Sequence, residues 1–216
     1  MTRFFTCHAI LFDLDGVLVD STQAVERVWR RWAREHKLDA ELVLEHAHGR
    51  RSIETVRIVA PQLDAEQENL KVESMEIADK EGIVVIPGAP ELLRSLPADR
   101  FIIVTSATRA LAAARLQYAG FIVPERVVTA DDVAEGKPSP DPYLKGAALL
   151  GFAAEDCVVF EDTPAGIESA RAAGMKVIAL DTTYPAKDLS RADAVLNSLA
   201  QVKAQLQNAA LRLTLP

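Results

Sequence analysis

The chain opens on a short apolar run, His8-Ala-Ile-Leu-Phe12, that stops abruptly at Asp13. A run of this length ending in a glycine-containing turn reads as a buried strand, with Asp13 to Gly16 as the loop at its C-terminal end. From Ser21 to about Lys80 the period changes. Val25, Val28, Trp29, Trp32 and Ala33 recur at helical spacing within 21–37. Shorter helices are expected over 40–46, 52–59 and 65–80, punctuated by Gly49 and Pro61. Beyond Pro87 strands and helices alternate. Strands are expected over 101–104, 126–129, 157–160, 177–180 and 194–196. Helices are expected over 90–96, 107–118, 141–150 and 165–173, the last three ending at Gly120, Gly151 and Gly174. The stretch after Leu206 receives no element.

Strands that alternate with helices imply parallel crossovers and a three-layer α/β domain. The helical block of about 18–85 interrupts that rhythm directly after the first strand and is too long for a crossover. It is expected to be an inserted helical cap subdomain on a core made of 1–17 and 86–216.

Composition narrows the function classes. The 216 residues suffice for one well-buried domain with a small insert. Hydrophobic residues make up 49% but aromatics only 6%, so the core is expected to be Ala, Val, Leu and Ile. A net charge of -7 gives no basic footprint for nucleic acid. Arg27, Arg30, Arg31 and Arg34 alternate with Trp29, Trp32 and Ala33 and are accompanied by Glu26 and Glu35, which is the polar side of an amphipathic helix. Cys7 and Cys157 lie in or beside apolar strand-like runs with no metal or disulfide spacing, and are read as buried free thiols. Asp13 and Asp15 interrupt the apolar N-terminus, so neither a signal peptide nor a membrane span is expected, and the location is read as cytoplasmic. No long heptad pattern is present, which fits a monomer or weak dimer.

Open parallel sheets bind ligands outside the carboxyl ends of their strands. Four groups fall at such ends: Asp13-Leu-Asp15-Gly16, Thr105-Ser106, Lys137 in Gly136-Lys-Pro138, and Glu161-Asp162. Singly, each also reads as a turn, a helix cap or a solvated loop. Together they make chemical sense. Several converging carboxylates need a cation, and few, oxygen-only ligands suit magnesium. Lys137 would add positive charge to a phosphate and to Asp13, and Thr105 or Ser106 would hold phosphate oxygens. Asp13 could then attack phosphorus, and Asp15 could protonate the leaving oxygen and later activate water.

Four stretches occur in the order found in haloacid dehalogenase superfamily phosphatases, which the chain resembles over nearly its whole length. They are Phe12-Asp-Leu-Asp-Gly-Val-Leu-Val-Asp-Ser21, Val104-Thr-Ser106, Gly136-Lys-Pro-Ser-Pro-Asp141 and Glu161-Asp-Thr-Pro-Ala-Gly166. The resemblance implies a Rossmann-like core, with Asp13 as nucleophile and metal ligand and Asp15 as acid/base and carbonyl ligand. It also implies Ser106 and Lys137 at the phosphate, Asp162 on the metal, and Glu161 either on the metal or behind it. Dehalogenases carry Tyr at position 15 and transport ATPases Thr, so Asp15 points to a phosphatase or phosphomutase. The related sugar phosphomutases have a histidine where Val25 stands.

The stretches Trp29-Arg-Arg-Trp32 and His46-Ala-His-Gly-Arg-Arg51 resemble the caps of sugar-phosphate and glycerol-phosphate phosphatases within the β-phosphoglucomutase-like subgroup. They make His48, Arg50 and Arg51 candidate specificity residues, the alternative being a helix-capping His48 and solvated arginines. Asp20 is read as a cap for the helix that follows. The expected activity is magnesium-dependent hydrolysis of a small phosphorylated metabolite, a sugar or polyol phosphate. The alternatives are a phosphomutase and a phosphoacceptor or regulatory binding module.

Overall fold

The computed structural model describes residues 2–216, and in it His8 divides the apolar N-terminus into two strands. β1 (Arg3–Cys7) joins a small antiparallel sheet, while β2 (Ala9–Phe12) enters the centre of the main sheet. β2 is buried on both faces, as a central parallel strand must be. Its neighbours are β5 (Phe101–Val104) and β7 (Cys157–Glu161), both parallel to it. The sheet is completed by β6 (Val127–Val128), β8 (Lys176–Leu180) and β9 (Ala194–Leu196), in the order β6-β5-β2-β7-β8-β9.

Side chains alternate across this sheet. Ile10, Phe12 and Ile103 pack with Leu111 and Leu116 on one face. Ala9, Leu11 and Val159 pack with Tyr143 and Ile167 on the other. Helices α5 (Ala89–Ser95), α6 (Arg109–Tyr118), α7 (Asp141–Leu150) and α8 (Pro164–Ala172) provide the outer layers. This is the three-layer α/β class expected from the alternation of elements. The order of addition reverses at β2, with β5 and β6 on one side and β7 to β9 on the other, which opens a crevice at the C-terminal end of that strand.

Helices α1 (Thr22–Glu35), α2 (Ala40–Ala47), α3 (Ser52–Val59) and α4 (Ala65–Ala78) form a block with its own core. Val25, Val28, Trp29 and Trp32 of α1 meet Val43, Val56 and Val72 there. Trp32 Nε1 donates to buried Glu68 at 2.9 Å, and His36 and Lys71 also pair with that carboxylate. Arg27, Arg30 and Arg31 pair with Asp79, Glu41 and Glu35 on the outer face. The two passages between block and core pair as β3 (Val19–Asp20) and β4 (Val84–Val85), antiparallel strands too short to leave a pattern in the sequence.

The unassigned tail is also ordered structure. β10 (Lys203–Gln207) and β11 (Ala210–Leu215) form a hairpin, and β11 lies between β10 and β1. Leu211, Leu213 and Leu215 point inward while residues 212 and 214 face out. The turn uses Asn208 and Ala209, both with left-handed φ. It lacks the glycine that normally marks such a turn in a sequence. Among the described residues no helix is long and apolar enough to cross a membrane.

Candidate active site

The four groups named from strand ends converge. Asp13 leaves the end of β2, and its amide donates to the Phe160 carbonyl at 3.0 Å, fixing the loop against β7. Its Oδ1 accepts from Lys137 Nζ at 2.7 Å. Lys137 is only 1% exposed, and its ammonium also donates to Glu161 Oε1 at 2.6 Å and to the Val104 carbonyl at 3.3 Å. Burial works against the ammonium, but Asp13 and Glu161 outweigh it and hold Lys137 above the usual lysine range.

Glu161 has no free lone-pair direction. Oε1 also accepts from Tyr143 at 2.8 Å, while Oε2 accepts from the amides of Asp162 and Thr163 and from Thr163 Oγ1. Burial pushes its pKa up, yet Lys137 and these donors prevail and keep it below the usual glutamate value. The folded-back carboxylate needs a glycine beside it, since a Cβ on Gly166 would lie 1.7 Å from Oε1.

Asp162 is the opposite case. It is buried, and its Oδ1 has no hydrogen-bond partner among the described residues. Burial, then the charges of Glu161 and Asp13, push its pKa well above the carboxylate range. Its other oxygen lies 1.9 Å from where a Cβ on Gly16 would stand, so only glycine fits at that left-handed position. Asp13, Glu161 and Asp162 each present an oxygen within 4.8 Å of the others'. Three buried carboxylates thus face one ammonium. Asp13 shows the strain: burial, only partly offset by Lys137, raises its pKa to about 7. Such a cluster calls for a further cation. Because Glu161 is already saturated, the oxygens that fit one best are those of Asp13 and Asp162, and Glu161 acts as the brace that holds Lys137.

Asp15 points toward the helical block. Oδ1 accepts from Ser21 Oγ and Oδ2 from Arg115 Nη1, both at 2.6 Å. Arg115, buried on α6, also donates to Glu76 of α4 at 3.0 Å. Sequence reasoning missed both Arg115 and Glu76. The available signal was a lone charge at a buried helical position, Arg115 beside Leu111, Ala112 and Leu116. Ser21 spends its hydroxyl on Asp15, and Asp20 supplies the turn bond to the Thr22 amide at 3.1 Å, the structural role expected of it.

After β5, Thr105 Oγ1 accepts from the Ala107 amide at 3.1 Å, and Ser106 Oγ donates to the Gly49 carbonyl at 3.0 Å. Both line the pocket, as do His48 and Arg50 from the loop between α2 and α3. His48 is held edge-on to Tyr184, and burial lowers its pKa. Arg51 is neither solvated nor in the pocket. It pairs with Glu54 and donates to the Val133 and Ala134 carbonyls, while Glu54 accepts from the Gly136 amide. Arg51 therefore pins the loop that carries Lys137.

Known proteins share this layout. Residues 7–174 match the haloacid dehalogenase-like hydrolase family. The chain is 46% identical to hexitol phosphatase A of Escherichia coli, covering 91% of this chain and 93% of that one. It is 37% identical to glycerol-1-phosphate phosphohydrolase 2 of Saccharomyces cerevisiae, covering 82% and 76%. A crystal structure of a hydrolase from Pseudomonas syringae has the same fold, with a TM-score of 0.82 at 24% identity, covering 89% of this chain and 94% of that one. With the motifs in order and the fold shared, the chain belongs to the haloacid dehalogenase-like hydrolases, in their phosphatase branch.

Proposed function

We propose that this enzyme is a magnesium-dependent phosphatase that hydrolyses a small sugar or polyol phosphate through an aspartyl-phosphate on Asp13. The observation that carries the reading is the buried, partnerless Asp162 Oδ1 beside Asp13. An oxygen-only site of this kind fits magnesium, held by Asp13, Asp162 and the Asp15 backbone carbonyl. When bound, the ion neutralises charge on the phosphate and on the carboxylates around it.

The chain's own residues then divide the work. Lys137, fixed by Glu161 and Tyr143, favours the ionised form of Asp13 and orients it for attack on phosphorus. Ser106 turns from the Gly49 carbonyl to a phosphate oxygen, with Thr105 shaping the loop beneath it. Asp15 leaves Arg115 and, in its acid form, gives its proton to the leaving oxygen. The carboxylate so formed takes a proton from the water that cleaves the acyl phosphate, which restores the acid form for the next turnover. Val25 lines the pocket and is apolar, offering no group for the phosphate return that a mutase needs. The helical block of 18–85 acts as a cap that closes over the leaving group. His48 and Arg50 are its contacts to substrate. The similarity to a hexitol phosphatase and a glycerol-1-phosphate phosphohydrolase supports the substrate class. Two buried free thiols fit a reducing, cytoplasmic compartment.

The test is phosphate release from a panel of hexitol, glycerol and deoxyhexose phosphates. Chelator should abolish it and magnesium restore it, and Asp13→Asn should lower kcat by about 10³-fold or more. Full turnover by Asp13→Asn, or turnover in chelator, would sink the mechanism.

A further inference from the structure

The pocket has two ends. At one, Asp13, Lys137 and Asp162 surround the place of the phosphoryl group. At the other, the wall is built by Trp29, His48, Glu76, Leu111 and Arg115. At this second end one guanidinium serves two carboxylates. Arg115 gives one N–H to Asp15 and one to Glu76, so two of its five donors are engaged. One Glu76 oxygen takes Arg115. His48, desolvated, is neutral at physiological pH. The remaining capacity at this end is a carboxylate that accepts, a guanidinium that donates, and an imidazole that does either. Trp29 and Leu111 give apolar surface beside them. Arg50 lines the same pocket, close enough to Tyr184 to act on it electrostatically.

A neutral hydroxyl fits such a wall because it can donate to Glu76 and accept from Arg115 at once. An anionic group would meet the Glu76 carboxylate, which Arg115 already serves, and an ammonium would meet Arg115 itself. We propose that Glu76 and Arg115 read adjacent hydroxyls on the leaving group, so that the enzyme selects uncharged polyol monophosphates over esters bearing a carboxylate or a second phosphate. This rests on the phosphatase reading and adds the residues that choose the alcohol. A buried polar pair built to meet hydroxyls rejects analogues lacking them, because it would be left unpaired.

The experiment measures kcat and KM of the full chain with magnesium on glycerol phosphate, propyl phosphate and phosphoglycolate, for wild type and Glu76→Gln. Wild type should lose at least about tenfold in kcat/KM from glycerol phosphate to propyl phosphate, and as much to phosphoglycolate. In Glu76→Gln the glycerol-to-propyl ratio should shrink to about threefold or less, mainly through KM. A purely structural Glu76 would lower all three substrates together and leave the ratio unchanged, which overturns the inference. A wild-type preference for phosphoglycolate overturns it without any variant. Absence of phosphate release from every ester overturns the phosphatase reading itself, an outcome distinct from both.

Discussion

Lys137 stands at the point where the site is most sensitive. Its ammonium is the one cation in contact with both Asp13 and Glu161, all three being buried. Lys137→Met should leave two buried carboxylates without their counter-ion and cost about 3–5 kcal/mol in urea unfolding, besides removing activity. In the proposed assignment protons and metal compete for the same oxygens. Asp13 at about 7, and Asp162 well above the carboxylate range, have folded pKa values raised above their unfolded ones. Their contribution to stability is therefore present below about pH 4 and lost as pH rises toward 7. Magnesium should reverse that loss. At a hundredfold excess over Kd it adds about 2.7 kcal/mol. The rise in Tm on adding magnesium should accordingly be larger at pH 7.5 than at pH 5, and equal shifts would speak against these carboxylates as the ligands. At this scale the sequence was readable wherever a residue sits at or just beyond the C-terminal end of a strand, as with Asp13, Ser106 and Glu161. Glu76 and Arg115 escaped because these two residues, 39 apart in sequence, pair only once their helices are brought together.

Among the elements, the strands of the main sheet and the helices of the block follow the sequence pattern closely, since apolar period decides both. What the pattern hides are elements whose partners are remote. β1 and β11 stabilise each other from opposite ends of the described chain, and β3 and β4 are two residues long. The Leu-Arg-Leu-Thr-Leu run of β11 has a clean period of two, but nothing local says which surface it covers. Leu213 is fully buried between that sheet and the core. Leu213→Ala should cost about 2–5 kcal/mol, measured by the shift of the urea midpoint at constant slope. A near-neutral result would mean that the hairpin is an appendage, not part of the folded core.

For the molecule as a whole, the seam between block and core sets access to the site. It is stitched by Arg51 to the loop before Lys137, by Ser106 to Gly49, by Arg115 to Glu76 and by Tyr118 to the Ile77 carbonyl. Arg51→Ala removes the first stitch. One hydrogen bond of this kind contributes about 0.5–1.5 kcal/mol. Amide exchange over 133–137 should therefore quicken by up to about tenfold, with exchange in β2 unchanged. No change over 133–137 would show that the loop is held by the core alone.

The sheet order has a consequence for synthesis. β2, the strand that delivers Asp13, is made before both of its partners, β5 and β7, which are encoded much later. Translation at about 5–20 residues per second leaves Ala-Ile-Leu-Phe unpaired for many seconds while the helical block, whose contacts are local, can already form. The nascent chain must therefore shelter this fully buried strand until the ribosome has passed β7, and Asp13 can be held in its final place only after that.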